Sequence, residues 1–159
     1  VSGQESELIW KTERVVAHTL VLSRSFRHWT GRDLIPGASD PVRLSEAVFE
    51  APFVVVSHGM ESDPVLNYGN RSALCLWEMS WEELTCTPSR FTAEAPNRAE
   101  RSRLLAAVNQ KGYIEDYSGV RISRTGRRFR ITRATVWNLI SSTGQGCGQA
   151  ALFDHWQDL

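Results

Sequence analysis

Apolar and polar residues change rhythm along this chain, and each rhythm marks a kind of element. Leu8, Val15, Leu22, Phe26 and Trp29 recur at seven-, four- and three-residue steps, one helical stripe that Ile9, Val16 and Leu20 widen. The spacing predicts a helix from Glu5 to about Trp29, with Glu7 and Lys11 paired one turn apart. Gly31 stops it, and residues 30–41 read as a loop. The stripe predicts that the helix covers its own domain; pairing with a second subunit is the alternative. A short helix fits Leu44–Glu50, started by Ser45 or Asp40. Phe53-Val54-Val55-Val56 is a continuous β-branched run, as in a buried strand, and Val65–Tyr68 makes another after a turn at His58–Pro64. Asn70 caps a short helix, and Ser80-Trp81-Glu82-Glu83 is a capping box that opens a further one. Asn97–Lys111 is a longer helix with Leu104, Leu105 and Val108 on one side, closed by Gly112. Strand-like runs then occupy Tyr113–Ser123, Arg128–Ile140 and Gln149–Trp156, separated by turn signals at Arg124–Arg127 and Ser141–Gly144. The order predicts an α+β domain with one antiparallel sheet.

Composition changes little in this picture. The 159 residues are 42% hydrophobic and 23% charged, ordinary for a globular domain with a real core. Lys plus Arg and Asp plus Glu both total 18, so the net charge is zero and nothing draws the whole molecule to nucleic acid or to an anionic membrane. Cys75, Cys86 and Cys147 form no C-x-x-C pair, which argues against a disulfide framework and for reduced thiols in an intracellular compartment, cytoplasm or organelle. No apolar run is long enough to span a bilayer. His18, His28, His58 and His155 lack metal-ligand spacing, and no nucleophile-elbow, zinc-protease or phosphate-loop motif is present. Asp154 and His155 are adjacent on a strand and point to opposite faces, which speaks against a catalytic pair, so no catalytic residue is assigned. Cys75 and Cys86 read as helix-packing thiols.

The segment Val65-Leu66-Asn67-Tyr68-Gly69-Asn70-Arg71-Ser72-Ala73 resembles the strand-to-helix step of PAS domains, and Trp81-Glu82-Glu83-Leu84 resembles the segment that follows it. A closer resemblance is to the MEKHLA domain, a PAS-like family. It rests on Tyr117–Ser123, Gly126-Arg127-Arg128-Phe129, Val136-Trp137-Asn138-Leu139 and Gly148-Gln149-Ala150-Ala151, and it covers about residues 45–156. The resemblance implies a five-stranded antiparallel sheet in the order 2-1-5-4-3. Helices on one face wall off a ligand-sized cavity. Residues 1–44 are then an N-terminal amphipathic helix and linker, and 45–159 the PAS-like domain, of the stand-alone kind. It implies a sensory or interaction module that binds a small ligand and signals by helix packing or dimerisation, with a homodimer through the N-terminal helix as one partner. Two rivals stay open, a ligand-free structural dimerisation domain and a small enzyme using the same cavity.

Flavin-binding light-oxygen-voltage domains are a further comparison. Ser89-Arg90-Phe91 resembles their Cys-Arg-Phe step with serine in place of cysteine, so flavin is a candidate cofactor while cysteine adduct chemistry is not expected. Asn138 and Gln149 sit on late strands, where that family keeps amides against the flavin ring. Ser89, Arg90, Phe91, Asn138 and Gln149 are therefore the candidate cofactor-binding residues. The helix Asn97–Lys111 has no histidine, which removes the usual haem ligand position. Arg90 and Arg98 read as an anion clamp at the cavity mouth or as surface ion-pair partners. Arg121, Arg124, Arg127, Arg128, Arg130 and Arg133 read as a solvated hairpin or a basic ribbon, with Arg133 on the face opposite Arg128 and Arg130. Parity sets one conflict. Residues 129, 137, 149 and 151 are odd and 138 is even, so either a bulge separates Phe129 from Asn138 or only one amide reaches the cavity.

Overall fold

The computed structural model of the protein describes residues 9–159. The strands are β1 (Val54–His58), β2 (Leu66–Gly69), β3 (Tyr113–Ile122), β4 (Arg128–Ile140), β5 (Gly146–Phe153) and β6 (His155–Asp158). They form one antiparallel sheet in the order β2-β1-β5-β4-β3, the PAS order, with β6 added alongside β4. Helices α1 (Glu13–Thr30) and α2 (Pro41–Phe49) cover one face of the sheet. On the other face lie α3 (Arg71–Trp77) and α5 (Ala95–Lys111), while α4 (Trp81–Leu84) packs at β2.

The N-terminal helix that the hydrophobic spacing predicts as one run is interrupted at residues 10–12, between a helical Ile9 and Glu13. Thr12 is extended, its hydroxyl accepts the Val15 amide and donates to the Ile9 carbonyl, and α1 starts at Glu13. A threonine side chain that satisfies a first-turn amide ends the helix on its N-terminal side, whatever the periodicity beyond it. Glu5–Leu8, and with them Glu7 of the expected Glu7–Lys11 pair, lie outside the described residues. From Glu13 onward the stripe does what its width implies. Val15, Leu22 and Phe26 are buried against Trp137, Leu139 and Ala150 of the same chain.

Two caps fix the rest of the frame. Asp40 caps α2 with Pro41 in its first turn. Asn70, fully buried, accepts the amides of Val55 and Ala73 and donates to the carbonyls of Val48 and Phe53, so one side chain joins α2, β1 and α3. The capping box of Ser80 and Glu83 forms as expected. Cys75 and Cys86 are exposed rather than packed: Cys75 lies on the outer side of α3, whose buried side holds Ala73, Leu74, Leu76 and Trp77, and Cys86 lies in the turn that follows α4.

The expected strand Gln149–Trp156 breaks in two at Asp154. Its neighbours break beside it. Asp116 in β3 and Arg133 in β4 both have left-handed backbones, at φ 58° and 55°. Cross-strand pairing of β4 keeps one register from Thr135–Leu152 to Thr132–His155, which places Arg133 opposite Asp154. A crease therefore crosses three strands, and every strand changes face parity there. Ile114 and Tyr117, Ile131 and Ala134, and Phe153 and Trp156 each bracket it on one face. The three residues on the crease are exposed and charged, so Arg133 stands in solvent as Arg128 and Arg130 do rather than opposite them.

Candidate functional site

The crease resolves the parity conflict. Beyond it, Ala134, Val136 and Asn138 continue the face begun by Phe129 and Ile131, and Trp137 turns to the α1 side. Asn138 pairs directly across the sheet with Gln149, and Val136 with Ala151. Both amides thus look toward α5.

Their amide nitrogens, and the Asn138 oxygen, are committed to the protein. Gln149 Nε2 donates to the Leu105 carbonyl at 2.9 Å and to Asn138 Oδ1 at 3.1 Å. Asn138 Nδ2 donates to the Val108 and Asn109 carbonyls in the last turns of α5, and its backbone amide donates to Gly112. From the opposite face, Trp29 Nε1 on α1 donates to the Asn138 carbonyl at 3.0 Å. Gly112 is where this junction is tightest. Its φ is 96°, and a Cβ there would run into the Trp29 indole, so both backbone and space require glycine.

Between the inner face and α5 lies a void of about 60 Å³, walled by apolar groups that include Trp77, Leu104, Leu105, Ile131 and Phe153. Its polar lining consists of His58, Arg101, Tyr117, Arg121 and Gln149 together with Ser57 and Thr92. His58 is buried at the end of β1. Its Nδ1 donates to the Gly59 carbonyl at 2.9 Å, which leaves Nε2 without a partner. Burial holds its pKa below the usual histidine range, with Arg101 adding to the effect. Arg121 is buried and donates to the Val120 carbonyl and to the Tyr117 hydroxyl, which in turn donates to Glu100. Arg101 makes neither a hydrogen bond nor an ion pair among the described residues. Burial, and then the like charge of Arg121, bring its pKa down to about 10.

The other expected site residues disperse. A 3₁₀ turn over Ser89–Thr92 points Ser89 and Thr92 inward and Arg90 and Phe91 outward. Ser89 is buried with an unpartnered hydroxyl but does not line the void. Arg90 pairs with Asp63 at the surface, and Phe91 is 46% exposed beneath the Arg90 and Arg98 guanidiniums. Arg98 donates to the Ala93 carbonyl, so no clamp over the cavity forms. The basic ribbon is half neutralised: Arg124 pairs with Glu83, Arg127 with Asp158 and Arg128 with Glu94 in a two-bond fork, Arg121 turns inward, and Arg130 and Arg133 stay exposed.

A flavin does not fit these residues. The void falls far below the ~300–1,000 Å³ of a pocket for a ligand of that size, and the Asn138 amide is spent on α5 and Gln149. Among the described residues there is no grouping of His, Cys, Asp and Glu suited to a metal, and no helix long and apolar enough to cross a membrane.

Residues 16–158 match the family model of the MEKHLA domain, nearly the whole chain and beginning within α1. No curated protein matches in sequence. Several solved structures share the fold. A PAS domain of a Colwellia psychrerythraea protein superposes with a TM-score of 0.59 at 15% identity, covering 74% of this chain and 94% of that one. An RNA-binding light-oxygen-voltage receptor gives 0.62 at 20% identity over 79% of this chain, which spans only 35% of that receptor. A PAS domain of a LuxR-family transcriptional regulator from Burkholderia thailandensis, in complex with ethanol, gives 0.53 at 17% identity, covering 72% and 95%.

Proposed function

The chain belongs to the MEKHLA domain family, a PAS-like module, and from that premise we propose that it is a sensor in which a small ligand between the sheet and α5 alters the packing of α1 on the opposite face. The observation that carries this reading is the run of hydrogen bonds through the sheet. Gln149 lines the void and holds both α5, through Leu105, and Asn138, whose carbonyl receives the Trp29 indole of α1. A group that draws Gln149 away from Leu105 or Asn138 disturbs a junction that both helices share. Such a switch requires the ligand to favour one arrangement over the other. The ethanol complex of the Burkholderia domain supports the reading in one respect, since a ligand of few atoms is of the size this void admits.

Hydrogen exchange of α1 tests the coupling. In Gln149→Leu the amides of residues 22–30 should exchange faster than in the wild type, and unchanged exchange there sinks the reading. A homodimer through the α1 stripe would require α1 to leave the sheet, because Leu22 and Phe26 are already buried. Size exclusion over a range of concentrations checks it, and a wild-type monomer throughout counts against constitutive pairing. The smallness of the void favours one rival, a ligand-free structural domain. Native mass spectrometry decides between them, since that rival predicts the bare polypeptide mass under every condition that loosens α1.

A further inference from the structure

The least expected feature of the inner chamber is its charge. Two arginines face one small space, and neither meets a carboxylate: Arg121 is buried with only neutral acceptors, and Arg101 has no acceptor at all among the described residues. Among the described residues two carboxylates come near: Glu100 is reached through the Tyr117 hydroxyl and bonds to neither guanidinium, and Glu61 lies close enough to act on His58. Buried cations without counter-charge are costly, and arginine in particular stays protonated and demands acceptors in its plane. The buried His58 ring adds a third nitrogen, Nε2, that finds no partner. The remaining walls are aliphatic and aromatic.

We propose that this chamber is a binding site for a short-chain carboxylate, its carboxyl group held by Arg101 and Arg121 and its hydrocarbon end lodged against Leu104, Leu105 and Phe153. The proposal rests on the sensor reading and names its ligand class. Size and lining select among anions. A void of about 60 Å³ excludes nucleotides and flavins, whereas a short-chain carboxylate has only a few heavy atoms to place there. A compact, fully polar oxyanion such as phosphate would set its remaining oxygens against apolar walls, which is unfavourable. A carboxylate has one charged end for two guanidiniums, the pairing in which planar forks are strongest. The like charge of Arg121, which after burial is the second cause of the lowered Arg101 pKa, is offset by the same ligand.

The test titrates the purified chain with acetate, propionate and butyrate, followed by calorimetry and by the fluorescence of Trp77 in the chamber wall, with phosphate and chloride at matched ionic strength as controls. Saturable binding of propionate or butyrate is expected, weaker by ~10-fold or more in Arg101→Gln, the loss of a charged hydrogen-bond partner, and intermediate in Arg101→Lys. Leu105→Trp, which fills the void and leaves both arginines in place, should abolish binding; retained affinity overturns the site. Arg90→Gln at the surface should bind as the wild type does. No saturable binding of any of the three acids, equal affinity in Arg101→Gln, or preferential binding of phosphate each overturns the proposal. Hydrogen exchange of α1 with and without propionate separates this inference from the sensor reading. Binding that leaves α1 unchanged keeps the site and removes the signalling, while acids that do not bind beside a loosened α1 in Gln149→Leu remove only the site.

Discussion

The two faces of the sheet are built by opposite rules. On the α1 face, Trp137 is fully buried with Phe26 edge-on to it at 5.0 Å between ring centroids, and Leu22, Val55, Tyr68 and Leu139 close around them. On the α5 face a seventeen-residue helix buries only Leu104 and Val108 fully, and it spends a position facing the sheet on Arg101. The first is a core in the ordinary sense, filled and apolar. The second is a chamber whose walls are apolar and whose contents are cationic. A sheet packed equally well on both sides would be stabler, and under the proposed sensor reading the chamber face gives up that stability to leave room for a ligand.

Measurements on the two faces should differ accordingly. Trp137→Ala removes a large side chain from a filled core, and a loss of ~3–5 kcal/mol in urea denaturation is expected. A loss near 1 kcal/mol would mean that the α1 face is not the stabilising one. The next effect is a dependence on pH. His18, on α1, bonds to Ser57 and has its pKa lowered from 6.5 to about 4, by burial first and then by the charge of Arg14. The unfolded chain therefore binds the extra proton between those values and the folded chain does not. The His18 contribution should lower stability by roughly 3 kcal/mol as pH drops from 6.5 toward 4 and level off below, where the depressed carboxyls of Glu50, Glu78 and Glu83 begin to take up protons. His18→Gln should flatten that slope, and an unaltered slope would move its origin to His58 on the chamber side. Leu104→Ala on the chamber face should cost about 2 kcal/mol, the low end for such a truncation, because it enlarges a space already open. Smallest of all, Arg101→Leu in anion-free buffer should be neutral or raise stability by about 1 kcal/mol, as removal of an unpaired buried charge does. A loss of several kcal/mol would show that Arg101 has a structural partner.

Much of the frame was legible in the pattern of residues. Alternation marked β4 to the residue, Asn70 and Ser80 announced their helices, and the strand order followed from the resemblance. The chamber was less legible, for three physical reasons. Strict period-two counting carries no information about left-handed residues, so the break at Arg133 could be posed only as an alternative, and those at Asp116 and Asp154 not at all. Arg101 belongs to no motif, although positions 101, 104, 105 and 108 share one helical stripe, the signal that would have found it. His58 resembled a turn residue because Gly59 follows it, yet β1 runs through it to pair with Gln149. At Ser89-Arg90-Phe91 a local motif conveyed residue types but not directions. The 3₁₀ turn there sends the charge outward, and the cation in the chamber comes instead from α5 and β3.

The crease also sets what kinds of change this chain tolerates. Letters at the three positions are cheap to exchange: glycine suits the left-handed backbones of Asp116 and Arg133, and all three side chains are exposed. Length is not. Removing one residue at Arg133 alone would put Ala134 to Ile140 out of step with both neighbouring strands, which keep their own breaks at Asp116 and Asp154. Trp137 would be delivered into the chamber, and Asn138 to the helix it now only touches through its carbonyl. The three breaks work as punctuation shared by three lines of text, and a gap in one line is readable only when the same gap is cut in the other two.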